Sequence, residues 1–278
     1  MSKETNVAII GCGYVGLEVA KMLSQKKAHV TATTRKPERL SELSKVAQKS
    51  IIVKGNDEDE FVPIIANNET IIITIASDST EHYESAYLRT SSLFRHLALE
   101  MDLPRTLIYV SSASVYGDHH GRWVDEASEL LAKGEQAKIL IESEKNYRSL
   151  EEIGWDVCVL RFAEVYGPGR EISKKVRSFM DHPLPGTGDQ YTNMVHREDC
   201  VSAINYALIH HLTGVYNLAD DDHSTKKELY DEISKKTGLN SVKWDPNLSS
   251  LPLQSKRVSN HKIHGAGFHF IHSGRILD

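Results

Sequence analysis

The chain has 278 residues, 40% hydrophobic and 26% charged, with three cysteines and a formal net charge of −5. Such a length buries a large core without disulfide or metal staples, and the acidic balance excludes nucleic acid as a general partner, because phosphate binding needs a basic surface. Cys12, Cys158 and Cys200 are widely spaced and form no CxxC pair, which points to a reducing compartment, with the cytoplasm as the simplest address.

The first apolar run, NVAII (6–10), reads as a buried strand and meets glycine at once, too short for a signal peptide. Gly11-Cys-Gly13-Tyr14-Val15-Gly16 follows and opens a helical pattern over 14–26. A strand, a glycine-rich turn and a helix in that order form a dinucleotide-binding element. Gly11 permits the tight turn, Gly13 lets backbone approach a pyrophosphate, and Gly16 lets helix and strand pack closely. The helix start then offers N–H groups and a positive dipole end to phosphate.

The second strand, HVTATT (29–34), ends on Thr33 and Thr34, followed by Arg35 and Lys36, with no acid until Glu38. An NAD-preferring site places an acid here for the ribose 2′-hydroxyl. Hydroxyls followed by two cations suit a 2′-phosphate instead, so NADP(H) is expected over NAD(H). A helical pattern over 37–47 leads to a third strand, SIIVK (50–54). Asp57 then reads equally as an adenine contact or as the N-cap of a helix over 57–66. The fourth run, TIIITIA (70–76), is far too short to span a bilayer, and Ala76 at its end joins the expected cofactor-binding residues.

A helical pattern over 81–101, a strand TLIYVSS (106–112), a helical pattern over 134–153 and a strand WDVCVLRF (155–162) complete the series. Strands apolar on both faces that alternate with helices predict a doubly wound parallel sheet of the Rossmann α/β class. After residue 162 the pattern breaks. Tyr166 to Gly188 holds three prolines and four glycines; a helix at 197–211, a strand at 214–218, a helix at 225–238 and a loop-rich tail follow. The expected organisation is a Rossmann core over 1–165 and a smaller C-terminal α/β substrate lobe over 166–278, interleaved with the core rather than separate.

Four segments, Gly11–Gly16, SSASVYG (111–117), LRFAEVYGPGR (160–170) and MVHREDCVSAI (194–204), occur in the order and spacing of one family. They resemble the extended and atypical short-chain dehydrogenase/reductases, the NAD(P)-dependent epimerase/dehydratase branch that acts mostly on nucleotide sugars. YNLADDDHSTKKEL (216–229) and SKRVSN (255–260) are similar to later segments of that branch, so the likeness spans nearly the whole chain. The resemblance implies that Ser112 polarises a substrate oxygen, helped by Ser114, and that Lys138 holds the nicotinamide ribose. It also implies a tyrosine four residues before that lysine as acid/base, and there this sequence has Gly134. A positioned acid or base is worth about 10²–10⁴ in rate, so the departure puts turnover itself in question. Tyr83, Tyr87, Tyr147, Tyr191 and Glu135 are the conceivable replacements, and Tyr116 reads as structural. The resemblance further suggests substrate contacts from Arg170, Asn193 and His196, and a homodimer through the helices at 81–101 and 134–153.

The histidines His119, His120, His261, His264, His269 and His272 show no recognised ligand spacing, so no metal is expected. No GxSxG elbow supports a hydrolase. Two functions stand: an NADP(H)-dependent oxidoreductase or epimerase-like enzyme acting on a carbonyl or hydroxyl, or a non-catalytic NADP(H) sensor.

Overall fold

Residues apolar on both faces form the strands of one seven-stranded sheet, in a computed structural model that describes residues 5–54, 57–77, 79–101, 103, 105–248 and 254–277. The LPL that opens the 251–260 segment lies outside them. The strands are β1 (Asn6–Ile10), β2 (His29–Thr34), β3 (Lys49–Ile52), β4 (Thr70–Ile73), β5 (Thr106–Ser112), β6 (Asp156–Phe162) and β7 (Gly214–Leu218). Their spatial order is β7-β6-β5-β4-β1-β2-β3. The β1–β2, β1–β4, β2–β3 and β4–β5 pairs are parallel. The order reverses between β1 and β4, which is the switch point where ligands lodge beyond the strand ends of such sheets.

The helices are α1 (Gly16–Gln25), α2 (Leu40–Leu43), α3 (Glu58–Asn67), α4 (Thr90–Met101), α5 (Glu135–Arg148), α6 (Ile172–Arg177), α7 (Arg197–Ile209), α8 (Lys226–Thr237) and α9 (His261–Gly265). Three expected helices are shorter than their patterns, the 134–153 one ending in a 3₁₀ turn over Ser149–Ile153. The 37–47 stretch is a 3₁₀ turn (Pro37–Arg39) plus the single-turn α2, and the 81–101 stretch starts with a π turn over Ser85–Arg89.

The chain divides into two compact units. The first takes 1–112, 133–161 and 201–215; the second takes 113–132, 162–200 and 216–278. The chain passes from the first unit to the second after β5 and returns before α5. In the first unit the core joins β-strand residues Ala8, Ile71, Leu107 and Val157 to Phe94 of α4 and Tyr147 of α5. The second unit has its own core, in which Tyr166, Met194, Leu229 and Tyr230 meet Ile172 and Val176. A capping box starts α8, with the Thr225 hydroxyl accepting from the Glu228 N–H while the Glu228 carboxylate accepts from the Thr225 N–H. Arg275 ties the tail down inside this unit: its guanidinium and the Asp220 carboxylate, each 1% exposed, pair at 3.1 Å. Cys12, Cys158 and Cys200 are all buried free thiols.

Candidate functional site

In the first unit, the glycine turn is built by close backbone approach. Gly11 has φ +89°, a left-handed conformation that glycine adopts without strain. A Cβ there would stand 2.9 Å from the Ile75 Cα, and one on Gly16 would stand 2.8 Å from the Gly11 carbonyl oxygen. Gly13 differs: the nearest atom to its Cβ position is the Gly11 oxygen at 3.9 Å. Its missing side chain relieves no crowding inside the protein, so the space is open to a ligand. β2 and β4 clamp the turn. Thr33 accepts the Gly11 N–H at its hydroxyl (3.0 Å) and the Cys12 N–H at its carbonyl (2.9 Å), and the Thr74 hydroxyl donates to the Gly11 carbonyl (2.8 Å). α1 begins after Val15 with no side-chain cap, so its N-terminal dipole end is available to an anion. Cys12 inside the turn is 1% exposed, and burial pushes its thiol up to about 12, which keeps it neutral.

The basic run after β2 sits beside this turn. Thr34 is buried, and its hydroxyl accepts the Lys36 N–H at 3.1 Å, so it shapes the strand exit. Arg35 is half-buried and Lys36 exposed. Arg39, which the sequence reading passed over, reaches back to donate to the Cys12 carbonyl at 2.5 Å and pairs with Glu42 at 2.7 Å. Its only sequence signal was a third cation in TTRKPER; the 3₁₀ turn at Pro37–Arg39 is what folds it toward the glycines. Asp57 acts as the N-cap of α3, its carboxylate accepting the Asp59 N–H at 3.1 Å. Of the two readings given for Asp57, the cap is therefore the observed one. Ala76 is exposed just past β4.

Ser112 ends β5 half-buried, whereas its neighbour Ser111 turns inward. Ser111 donates to Glu144 at 2.5 Å, and Glu144 pairs with Arg161 at 2.7 Å, with both charged side chains 5% exposed or less. This buried network joins β5, α5 and β6 and was absent from the sequence reading, because the three residues are scattered over fifty positions. Lys138 lies in the first turn of α5, exposed. The buried stripe of that helix comprises Ile139, Leu140, Ser143, Glu144 and Tyr147, and Lys138 points roughly to the opposite side.

Gly134 is the N-cap of α5, with φ +94° and nothing within 4 Å of a Cβ position. It stands outside the helix in a conformation that a tyrosine resists, so the family's helical phenol has no equivalent at this residue. Of the conceivable replacements in this unit, Tyr147 is 1% exposed, tilted against Tyr109 with ring centroids 4.5 Å apart, and burial drives its hydroxyl far from ionisation. Tyr83 and Tyr87 pack ring to ring at 4.6 Å, and the Tyr87 oxygen accepts the Ser77 N–H at 3.3 Å just beyond Ala76. Burial pushes Tyr83 up to about 12 and raises Tyr87, with Arg35 acting in the opposite direction on Tyr87. Glu135 is exposed.

The second unit holds the residues expected to touch substrate. Ser114 is exposed in a 3₁₀ turn, and Arg170 is exposed after the Gly167–Arg170 backbone turn. Tyr116 donates to Asn217 at 2.7 Å and is fully buried. Asn193 spends its amide on structure: it donates to the Lys256 carbonyl (2.9 Å), accepts the Val258 N–H (2.7 Å) and meets His223 at 3.2 Å. His196 is 5% exposed, wedged edge-on against Tyr166. Tyr191 lies beneath the Arg257 guanidinium. A cavity of about 90 Å³ opens within this unit, lined in part by Lys175, Tyr191, Lys226 and Tyr230. Burial, then the nearby Lys175, lowers the Lys226 pKa. Lys175 is already paired with Glu164, which lines the same cavity.

His223, packed on Trp123 at 4.7 Å, has its pKa pushed down to about 4 by burial, with Arg275 adding to the effect. The unfolded chain binds this proton near the ordinary value of 6.5, and the folded unit does so only near 4. The stability contributed above pH 6.5 is therefore lost as pH falls through that window. Melting temperature followed from pH 7 to pH 4 will fall, and a His223→Gln protein will fall less.

Among known proteins, the model of the NAD dependent epimerase/dehydratase family matches residues 7–219. No curated protein matches the chain. A dTDP-glucose 4,6-dehydratase from Bacillus anthracis, solved with NAD, superposes with TM-score 0.79 at 16% identity, covering 97% of this chain and 92% of that one. A UDP-N-acetylglucosamine 4-epimerase from Methanobrevibacter ruminantium, solved with UDP-N-acetylmuramic acid, gives 0.78 at 19%, covering 97% and 94%. A human epimerase family protein solved with NADPH gives 0.77 at 16%, covering 97% and 96%. At these identities the likeness is one of fold.

Proposed function

Because this chain belongs to the NAD dependent epimerase/dehydratase family, we propose that it holds NADP(H) at the Gly11–Gly16 turn and acts on a carbonyl or hydroxyl group of a small molecule. The observation that carries the reading is the open Gly13 position facing an uncapped α1, with Arg35, Lys36 and Arg39 following β2 and no acid before Glu38. Tyr14 and Val15 line the same turn. Ala76 borders it past β4, and Thr34 sets the path of the basic run. A bound nicotinamide supplies hydride exchange; Ser112 orients the substrate oxygen, and Lys138 reaches the ribose from the first turn of α5. Ser114 and Arg170 contact the substrate. Nucleotide sugars are the favoured class, since the solved relatives include enzymes of dTDP- and UDP-sugars. A homodimer through α4 and α5 belongs to the same proposal, and light scattering of the purified chain tests it. Among the described residues no helix is long and apolar enough to cross a membrane.

Fluorescence titration with NADPH and NADH is the test. NADPH is expected to bind about ten to a hundredfold more tightly, the worth of one charge-assisted hydrogen bond to the 2′-phosphate, and Arg35→Ala to remove the difference. Equal affinities would overturn the NADP(H) preference, and no binding of either would overturn the site. Oxidation of NADPH against carbonyl compounds and nucleotide sugars then tests turnover. Gly134 favours a second reading, a non-catalytic NADP(H) sensor, because it removes the family's acid/base residue. Tight binding without turnover across the panel selects that reading.

A further inference from the structure

A cluster of metal-ligand side chains lies within the second unit, independent of the nucleotide reading. The short strand Met194–His196 ends on His196; α7 begins at the next residue, so its first turn carries Glu198. The tail brings His272 to the same place. The Glu198 carboxylate lies 2.7 Å from His272 Nε2 and 3.8 Å from His196 Nδ1, and the three atoms fall within 4.8 Å of one another.

Each member is held by its own support. His196 packs against Tyr166 at 5.2 Å, and its Nδ1 accepts the Glu198 N–H at 3.3 Å. That contact puts the imidazole lone pair on Nδ1 and engages it with the backbone, so a cation at Nδ1 has to displace the Glu198 N–H. His272 is fixed through its backbone. Asp199, fully buried, accepts the N–H of Ile271 at 2.6 Å and that of His272 at 3.3 Å. The two imidazoles meet edge to face with centroids 4.2 Å apart. Glu198 is the open side, its side chain 57% exposed, so water reaches the cluster.

We propose that His196, Glu198 and His272 bind a divalent cation of the zinc class, with water at the fourth position. Two imidazoles and one carboxylate suit Zn²⁺ or Co²⁺, whereas Mg²⁺ and Ca²⁺ take oxygen donors. Ligand atoms at zinc distances in a tetrahedron stand about 3.3 Å apart; the Glu198 carboxylate is 3.8 Å from His196 and hydrogen-bonded to His272 at 2.7 Å, a bond that an ion between them replaces. Arg197 opposes a cation here, and the carboxylates of Glu198 and Asp199 outweigh it. The bound ion fastens the tail to the strand end and to α7. The site escaped the sequence because its carboxylate and tail histidine are 74 residues apart.

The full chain, stripped with chelator, is titrated with Co²⁺ and read by visible absorption. One equivalent giving the intense bands of a tetrahedral ion is expected, with Glu198→Gln and His272→Ala each weakening binding about tenfold or more. Circular dichroism checks that both variants fold, and zinc is expected to slow proteolysis of the tail in the parent protein only. Absence of the bands, or variants that bind Co²⁺ like the parent through other surface histidines, overturns the proposal.

Discussion

Gly13→Ala will fold with an unchanged melting temperature and lose nucleotide affinity about a hundredfold. A Cβ at residue 13 meets only the Gly11 oxygen, at ordinary contact distance, so the folded chain accommodates it. The same methyl holds a pyrophosphate off the backbone N–H groups, and the loss of one or two charge-assisted bonds costs about 3 kcal/mol. Gly16→Ala will behave in the opposite sense. Its Cβ collides with the Gly11 carbonyl and the Thr74 hydroxyl, and overpacking of that kind costs about 1–3 kcal/mol of stability. Thermal melts and NADPH titrations of the two variants therefore separate a ligand site from a structural turn. If Gly13→Ala binds NADPH like the parent, the Gly11–Gly16 turn does not hold the cofactor.

Glu144→Ala will destabilise the first unit by about 3–5 kcal/mol, because it removes the carboxylate that pairs with the buried Arg161 charge. Arg161→Met will also destabilise it, because the buried carboxylate keeps the Ser111 hydroxyl but loses its cation. The double variant Glu144→Leu/Arg161→Met will be more stable than either single one, since it removes both desolvated charges together. Urea denaturation of the four proteins measures the coupling, and strictly additive losses would refute it. Ser111 shares this network at 2.5 Å and is bonded to Ser112 through the chain. The network thus sets the end of β5 that presents Ser112, and a Glu144→Ala protein that still folds will bind nucleotide normally but turn over more slowly.

The strands and the glycine turn were readable because their signals are local. Residues 6–10, 29–34 and 106–112 are strands from their first to their last residue, since an apolar run buried on both faces has few other ways to hide. The turn at Gly11–Gly16 is written in one hexapeptide. Gly134 was legible too, as a departure from YxxxK, though only its φ of +94° shows that the residue stands outside the helix. Asp57 was ambiguous because a carboxylate before a helix satisfies either a cap or a ligand; the cap is the role that the Asp59 N–H shows.

What the sequence determined by itself is six strands of the sheet, the turn at β1 and the basic run after β2, all carried by neighbours in the chain; that Gly214–Leu218 joins the same sheet came from the tertiary structure. What tertiary structure alone decided is which distant groups share a charge or a lone pair. Arg39 bends back to Cys12, Ser111 and Arg161 converge on Glu144, and His272 joins His196 and Glu198. Asn193 is bonded to Lys256 and Val258 for the same reason. A polar side chain commits its hydrogen bonds to whatever the fold brings within about 3 Å, and that choice depends on packing across dozens of residues, which no local pattern encodes.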